Sequence, residues 1–74
     1  MTEEHVSITT EYIKLDQLIK FAGIAMTGGD AKDMILSGMV SVNGEQCTQR
    51  GKKMRPGDSC TLYFEDETVV IKVD

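Results

Sequence analysis

Tryptophan is absent from this chain, and aromatics are scarce: two tyrosines and two phenylalanines in 74 residues. Phe21 and Phe64 read as core or near-core positions, and Tyr12 and Tyr63 lie too far apart in sequence to form a stacking platform. Base-by-base reading of single-stranded nucleic acid is therefore not the expected activity. Cysteine is almost missing as well. Cys47 and Cys60 are too few for a disulfide framework or a zinc site, which takes about four ligands. They read as small apolar strand residues, close enough to oxidise in air only if their strands are neighbours. His5 is the only histidine and has no evident partner. No nucleophile–base pair, carboxylate pair or metal cluster can be assembled, so neither catalysis nor a cofactor is expected. Nor is there a run of about 18 apolar residues, the length a membrane-spanning helix needs. The segment Met1-Thr2-Glu3-Glu4-His5 is acidic and lacks an apolar signal core, so the expected location is cytoplasmic.

A chain of 74 residues makes one domain. At that size only about 60% of the unfolded surface is buried, so the core is thin and leaves little room for a deep substrate cavity. Positive charge is the next scarcity, with 8 Lys+Arg against 12 Asp+Glu and a net charge of −4. Its distribution matters more than its amount. Arg50, Lys52, Lys53 and Arg55 fall within six positions, and no acid occurs between Gln46 and Gly57. That segment is +4 by itself, which leaves −8 on the rest. A basic loop on an otherwise acidic protein is suited to a polyanion, whatever the net charge.

The hydrophobic period changes twice along the chain. His5 to Thr10 alternates and is β-branched, which predicts a short edge strand. Leu15, Leu18, Ile19 and Ala22 then form one stripe of a helix that Gly23 is placed to stop. Thr27-Gly28-Gly29-Asp30 reads as a capping box opening a second helix, with Ala31, Met34 and Ile35 as its buried stripe and Gly38 as its stop. From Val40 the period is two. Asn43-Gly44 signals a tight hairpin, Glu45-Gln46-Cys47 returns, and Arg55-Pro56-Gly57-Asp58 makes a second turn in which Asp58 is a hydrogen-bonding residue rather than a catalytic acid. Cys60, Leu62 and Phe64 point one way, Glu65-Asp66-Glu67 is a solvated tip, and Val69, Ile71 and Val73 alternate on a last strand. The expected fold class is α+β: two short helices packed on a small antiparallel sheet of roughly three to five strands.

Four pieces of this pattern occur in a familiar order: Leu15-Asp16-Gln17-Leu18-Ile19-Lys20-Phe21-Ala22-Gly23, then Asp30-Ala31-Lys32, then Gly38-Met39-Val40-Ser41-Val42-Asn43-Gly44, then Arg55-Pro56-Gly57-Asp58. Together they resemble the RNA-binding domain first described in ribosomal protein S-four, the alpha-L motif, and within it the small stand-alone (YaaA-type) members. The resemblance runs from about Tyr12 to Phe64, so residues 1–74 are expected to be a single RNA-binding domain with a core motif at about 12–64. It implies a basic surface built from the two helices and the adjoining hairpin. By position, Lys14 precedes the Leu-Asp pair where the family often has arginine, Lys20 lies on the first helix and Lys32 on the second. Arg50, Lys52, Lys53 and Arg55 lead into the proline-glycine-aspartate turn. One departure is plain: many members open the second helix with Ser-Arg, where this chain has Thr27-Gly28.

These residue types suit RNA for physical reasons. Phosphates are held by field and counterion release without a deep pocket. Arginines clasp phosphate oxygens with paired hydrogen bonds, while lysines act as point charges. Gly28 and Gly29 leave the second helix N-terminus sterically open, so its amides suit one phosphate. Taken singly, Lys14, Lys20 and Lys32 are equally ordinary solvated lysines, Lys52-Lys53 a solubilising loop and Gly28-Gly29 a turn. The expected function is non-catalytic binding of structured RNA, ribosomal RNA or another folded RNA, by a monomer that touches a ribosome or ribosomal subunit and no membrane. The competing expectation is a protein-interaction adaptor with the same fold and little affinity for RNA.

Overall fold

A computed structural model describes residues 1–74. In chain order the elements are β1 (Thr2–Val6), β2 (Ile13–Lys14), α1 (Leu15–Phe21), α2 (Gly28–Leu36), β3 (Val40–Val42), β4 (Glu45–Gln46), β5 (Lys53–Met54), β6 (Ser59–Tyr63) and β7 (Thr68–Val73). Five strands form one sheet in the order β1-β7-β6-β3-β4, and β2 pairs with β5 in a separate two-stranded ribbon. This is the α+β arrangement the pattern predicts. Every pair in the larger sheet is antiparallel except the edge pair β1–β7, which is parallel, so that sheet is mixed.

The N-terminal strand lies earlier than its β-branched alternation suggests. β1 pairs with β7 from Thr2↔Val69 to Val6↔Val73. Past Val6 the partner strand is exhausted, and pairing ends with Asp74 donating its amide to the Val6 carbonyl and Ile8 donating to the Asp74 carbonyl. Ser7 to Thr10 alternates correctly but has nothing left to pair with.

One apolar cluster holds the layers together. Leu15, Leu18 and Ile19 of α1 and Ala31 and Ile35 of α2 pack with Val40, Cys60, Leu62, Val69, Ile71 and Val73, and no polar side chain is buried among them. Along β6 and β7 alternate residues are buried, so both helices cover the same face of the sheet. The opposite face carries Glu3, His5 and Lys72, on adjacent strands in the register His5↔Lys72.

Two short stretches fix the connections. Gly38 ends α2 with φ +87, and a Cβ there would lie 2.7 Å from Nε2 of Gln46, which donates to the Gly38 carbonyl at 2.8 Å. Asn43 and Gly44, both at positive φ, turn β3 into β4, the backbone twist favoured by tight hairpins. Cys47 and Cys60 do not meet. The Cys47 amide bonds Val40 on one side of β3 and Cys60 pairs with Val42 on the other. Two strand spacings, roughly 9–10 Å, separate them, beyond the about 7 Å between Cα atoms that a disulfide tolerates. Burial pushes the Cys60 thiol up to about 12, so it stays protonated and inert.

Candidate nucleic-acid interface

The basic loop is fixed to the first helix by its own backbone. Lys14 stands at the N-cap of α1 and provides no side-chain cap. Instead, the amides of Leu15 and Asp16 donate to the carbonyls of Lys52 and Arg50 at 2.9 and 3.1 Å. Two of the helix's four orphan donors are satisfied in this way, and their acceptors belong to the residues that carry the charge. A turn closed by Lys52 N–H to the Gln49 carbonyl at 3.1 Å presents Arg50 at its corner. In the ribbon, Lys14 lies directly opposite Lys53, a like-charge pairing that is mildly destabilising in a sheet. The Lys53 ammonium sits 5.1 Å over the ring of half-buried Tyr12, which relieves part of that cost without cancelling the charge. Buried Met54 separates the exposed cations Lys53, in the ribbon, and Arg55, which opens the next turn.

The second turn is tied to the first. Arg55 donates its amide to Oδ2 of Asp58 at 2.8 Å, and Asp58 donates its amide to the Arg55 carbonyl at 2.9 Å. Asn43 Nδ2 reaches Oδ1 of Asp58 at 3.2 Å, while Asn43 Oδ1 accepts from the Ser59 amide at 3.0 Å. The Arg55 amide, followed by the Asn43 side chain, holds the Asp58 carboxyl below the usual carboxylate range despite partial burial. Asp58 is a structural turn residue, as expected. Asn43-Gly44 and Arg55-Pro56-Gly57-Asp58 are two motifs in sequence but one hydrogen-bonded unit in space.

The helices add the remaining cations. On α1, Gln17, Lys20 and Phe21 lie off the buried Leu15–Leu18–Ile19 stripe, with Phe21 one turn beyond Gln17. A Cβ placed on Gly28 would lie 3.8 Å from Nε2 of Gln17, so the N-terminus of α2 abuts this exposed face of α1. Lys32 is one turn after Gly28 on the same edge of α2, and helical side chains lean back toward the N-terminus. Lys20 and Lys32 thus both lie off the buried stripes of their helices, and Gln17 and Gly28 bring the two helices together. Asp30 falls on the other flank of α2, beside half-buried Met34, and Asp33 points away from the core. At the α2 cap the Thr27 hydroxyl accepts from the Asp30 amide at 3.1 Å, but the return bond from Asp30 does not form. The amides of Gly28 and Gly29 have no intrahelical acceptor.

Pairing separates these cations from the rest. Of eight Lys and Arg, only Lys72 lies within reach of a carboxylate, Glu3 at 3.4 Å. The other salt bridges join the N-terminal amine to Glu67 and His5 to Glu3 and Asp74. Lys14, Lys20, Lys32, Arg50, Lys52, Lys53 and Arg55 are therefore all unpaired and exposed. Beside Lys52, the β3–β4 hairpin forms an open, mostly polar groove of about 490 Å³.

Two expectations need correction. His5 has partners: its ring nitrogens lie 2.9 Å from Glu3 Oε2 and 3.0 Å from Asp74 Oδ2. Sequence could not show this, because Asp74 is brought alongside only by the parallel β1–β7 pairing. Phe21 is not core. It is 63% exposed, and its place off the Leu15–Leu18–Ile19–Ala22 stripe was the available signal. Phe64 is half-buried, nearer the expectation. Gln17 and Tyr12 were not singled out as part of the surface; their contacts with Gly28 and Lys53 depend on the folded backbone.

Comparison with known proteins agrees with this architecture. The family model described as S4 domain matches residues 6–72. A relative from Bacillus subtilis (strain 168), named "Probable ribosome maturation protein RlbA", is 42% identical over 53 residues, covering 72% of this chain and 75% of that protein. The chain belongs to the S4 domain family.

Proposed function

We propose that this protein binds structured RNA without catalysing a reaction. The gripping surface is the band running from Lys20 and Lys32 through Lys14 to Arg50, Lys52, Lys53 and Arg55. The Gly28 and Gly29 amides donate to one phosphate at the start of α2, in place of the arginine many relatives carry there. The observation that supports this reading is that these seven cations have no carboxylate partner, whereas Lys72 on the outer face pairs with Glu3. Membership of a family of RNA-binding domains supports it, and the ribosome-maturation name of the relative supports ribosomal RNA or an assembling ribosomal subunit as the partner.

The chemistry is electrostatic and reads shape. A paired stem offers phosphates and 2′-hydroxyls rather than readable base edges, and an exposed cationic surface is sufficient for those. The acidic remainder of the chain repels RNA elsewhere and so orients docking. If about four to six phosphates are engaged, log K falls against log salt with a slope of about −3 to −5. Filter retention of a structured ribosomal RNA fragment across a salt series measures this directly; a flat response would overturn the reading. The net charge of −4 and the missing arginine favour the rival reading, a protein adaptor. Ribosome co-sedimentation separates the two. If it persists after Arg50, Lys52, Lys53 and Arg55 are all changed to glutamine, the adaptor reading stands; if it is lost together with RNA retention while the melting curve is preserved, RNA binding stands.

A further inference from the structure

Phe21 is an aromatic ring exposed to solvent on the same short helix as the free cation Lys20. It is 63% exposed, on the face of α1 that carries Gln17, and next in sequence to unpaired Lys20. Met26, in the connection between the helices, is 90% exposed. Single exposed apolar residues are ordinary; a flat ring beside a free cation on one short helix is a more specific combination. Phosphates on either side of an unstacked nucleotide are held by ammonium groups, while its base covers the ring and removes apolar surface from water. A fully paired stem has no base to offer. A protein partner could also use exposed Phe21, Met26 and Leu36, but the neighbouring Lys20 has no carboxylate partner of its own and is free for a phosphate. A nucleotide offers both a phosphate for the free cation and a flat base for the ring, which favours an unpaired nucleotide as occupant.

Resting on the RNA-binding reading above, we infer that Phe21 stacks against an unpaired base, so that the preferred RNA is a stem bearing a bulge or loop nucleotide rather than a continuous duplex. Phe21 then determines specificity, and the cations determine overall affinity.

The test uses two probes: a short RNA hairpin with a fully paired stem closed by a stable tetraloop, and the same hairpin with a single bulged adenosine in the stem. The expected result is that the native protein prefers the bulged hairpin, and that Phe21→Ala weakens binding to it by about five- to a hundredfold while hardly affecting the paired one. Since Phe21 packs little against the core, the variant should keep its melting temperature. Phe21→Trp should keep the preference. As the chain has no other tryptophan, indole quenching by the bulged hairpin alone would report stacking. Equal losses on both hairpins, no loss on either, or no initial preference would each overturn the inference. So would a Phe21→Ala variant that binds RNA normally but loses ribosome co-sedimentation, which would assign the ring to a protein. The parent reading fails separately: in that case Arg50→Gln with Lys52→Gln leaves binding to both hairpins unchanged.

Discussion

On the outer face of the sheet, Lys72 and His5 lie within 3.4 and 3.0 Å of carboxylates, whereas no cation of the helical layer and its loop has a carboxylate partner. Both regions are exposed and both hold charges of each sign. The outer face satisfies its charges locally. On the other side Asp16, Asp30 and Asp33 make no salt bridge, Asp16 accepts from the Gln17 amide, and the Asp58 carboxylate is committed to backbone and amide donors. Stability does not explain the contrast, because a surface ion pair contributes only about 0–1 kcal/mol. The difference lies in availability. A paired cation must break a contact to meet a phosphate, while an unpaired one releases only water and counterions.

The largest effect should come from removing the loop charges together. Changing Arg50, Lys52, Lys53 and Arg55 to glutamine should weaken RNA binding by about 10²–10³-fold near physiological salt and flatten the salt slope by about one unit per lost phosphate contact. Only the backbone carbonyls of Arg50 and Lys52 support α1, so folding should survive, which circular dichroism would check. An unchanged slope would erase the contrast between the two regions.

A smaller effect should come from disturbing position while keeping charge. Asn43→Ala removes the side-chain bonds to Asp58 and the Ser59 amide and should cost about 1–2 kcal/mol of stability in denaturant titration. Under conditions where the variant is still folded, RNA affinity should fall severalfold although no cation has been lost. Unchanged affinity would mean that the loop is not held in place through Asn43 and the second turn.

How much of this was legible in the sequence follows the same division. The helix stops, the Asn-Gly hairpin and the alternation of β6 and β7 are local signals, because each depends on residues within a few positions of one another. The loop cations were legible as a charge run. Their attachment to α1 was not, because the bonds of Leu15 and Asp16 to Lys52 and Arg50 involve backbone atoms that any residue carries. Phe21 departs from what its type suggests: a phenylalanine in a short helix suggests core, but its angular position places it outside the buried stripe. The parallel β1–β7 pairing, and with it the His5 cluster, joins residues about seventy apart and leaves no local trace.

The outer face has a titration of its own, apart from that of Asp58 in the second turn. Its bonds to Glu3 and then Asp74 raise His5 above its ordinary 6.5, and those of Glu3 to His5 and then Lys72 lower it below 4.5. The histidine's contribution is complete below 6.5 and is lost as pH rises through the higher folded value; that of Glu3 is complete above 4.5 and is lost as pH falls through its lower folded value. Amide protection in β1, taken relative to the intrinsic exchange rate at each pH, should therefore be highest between those two limits, and His5→Gln should remove the alkaline side of that window. RNA affinity of the variant should match the native protein, and a parallel drop would connect two regions held here to be separate.

The smallest expected effect discriminates most. Lys72→Gln and Arg50→Gln remove the same charge from the same molecule, so an account based on net charge alone requires equal losses of RNA affinity. Lys72 alternates with Ile71 and Val73, which face the core, and so stands on the side of the sheet away from the helices. The molecule measures 32 × 24 × 23 Å, several times the Debye length of about 8 Å at physiological ionic strength. Across that thickness Lys72 is largely screened from an RNA held over the helices, and its charge is already offset by Glu3. Lys72→Gln should leave the dissociation constant and the salt slope unchanged within error, while Arg50→Gln should weaken binding severalfold and lower the slope by about one. Equal effects would mean that RNA responds to the whole molecule's charge and that the unpaired band has no special role.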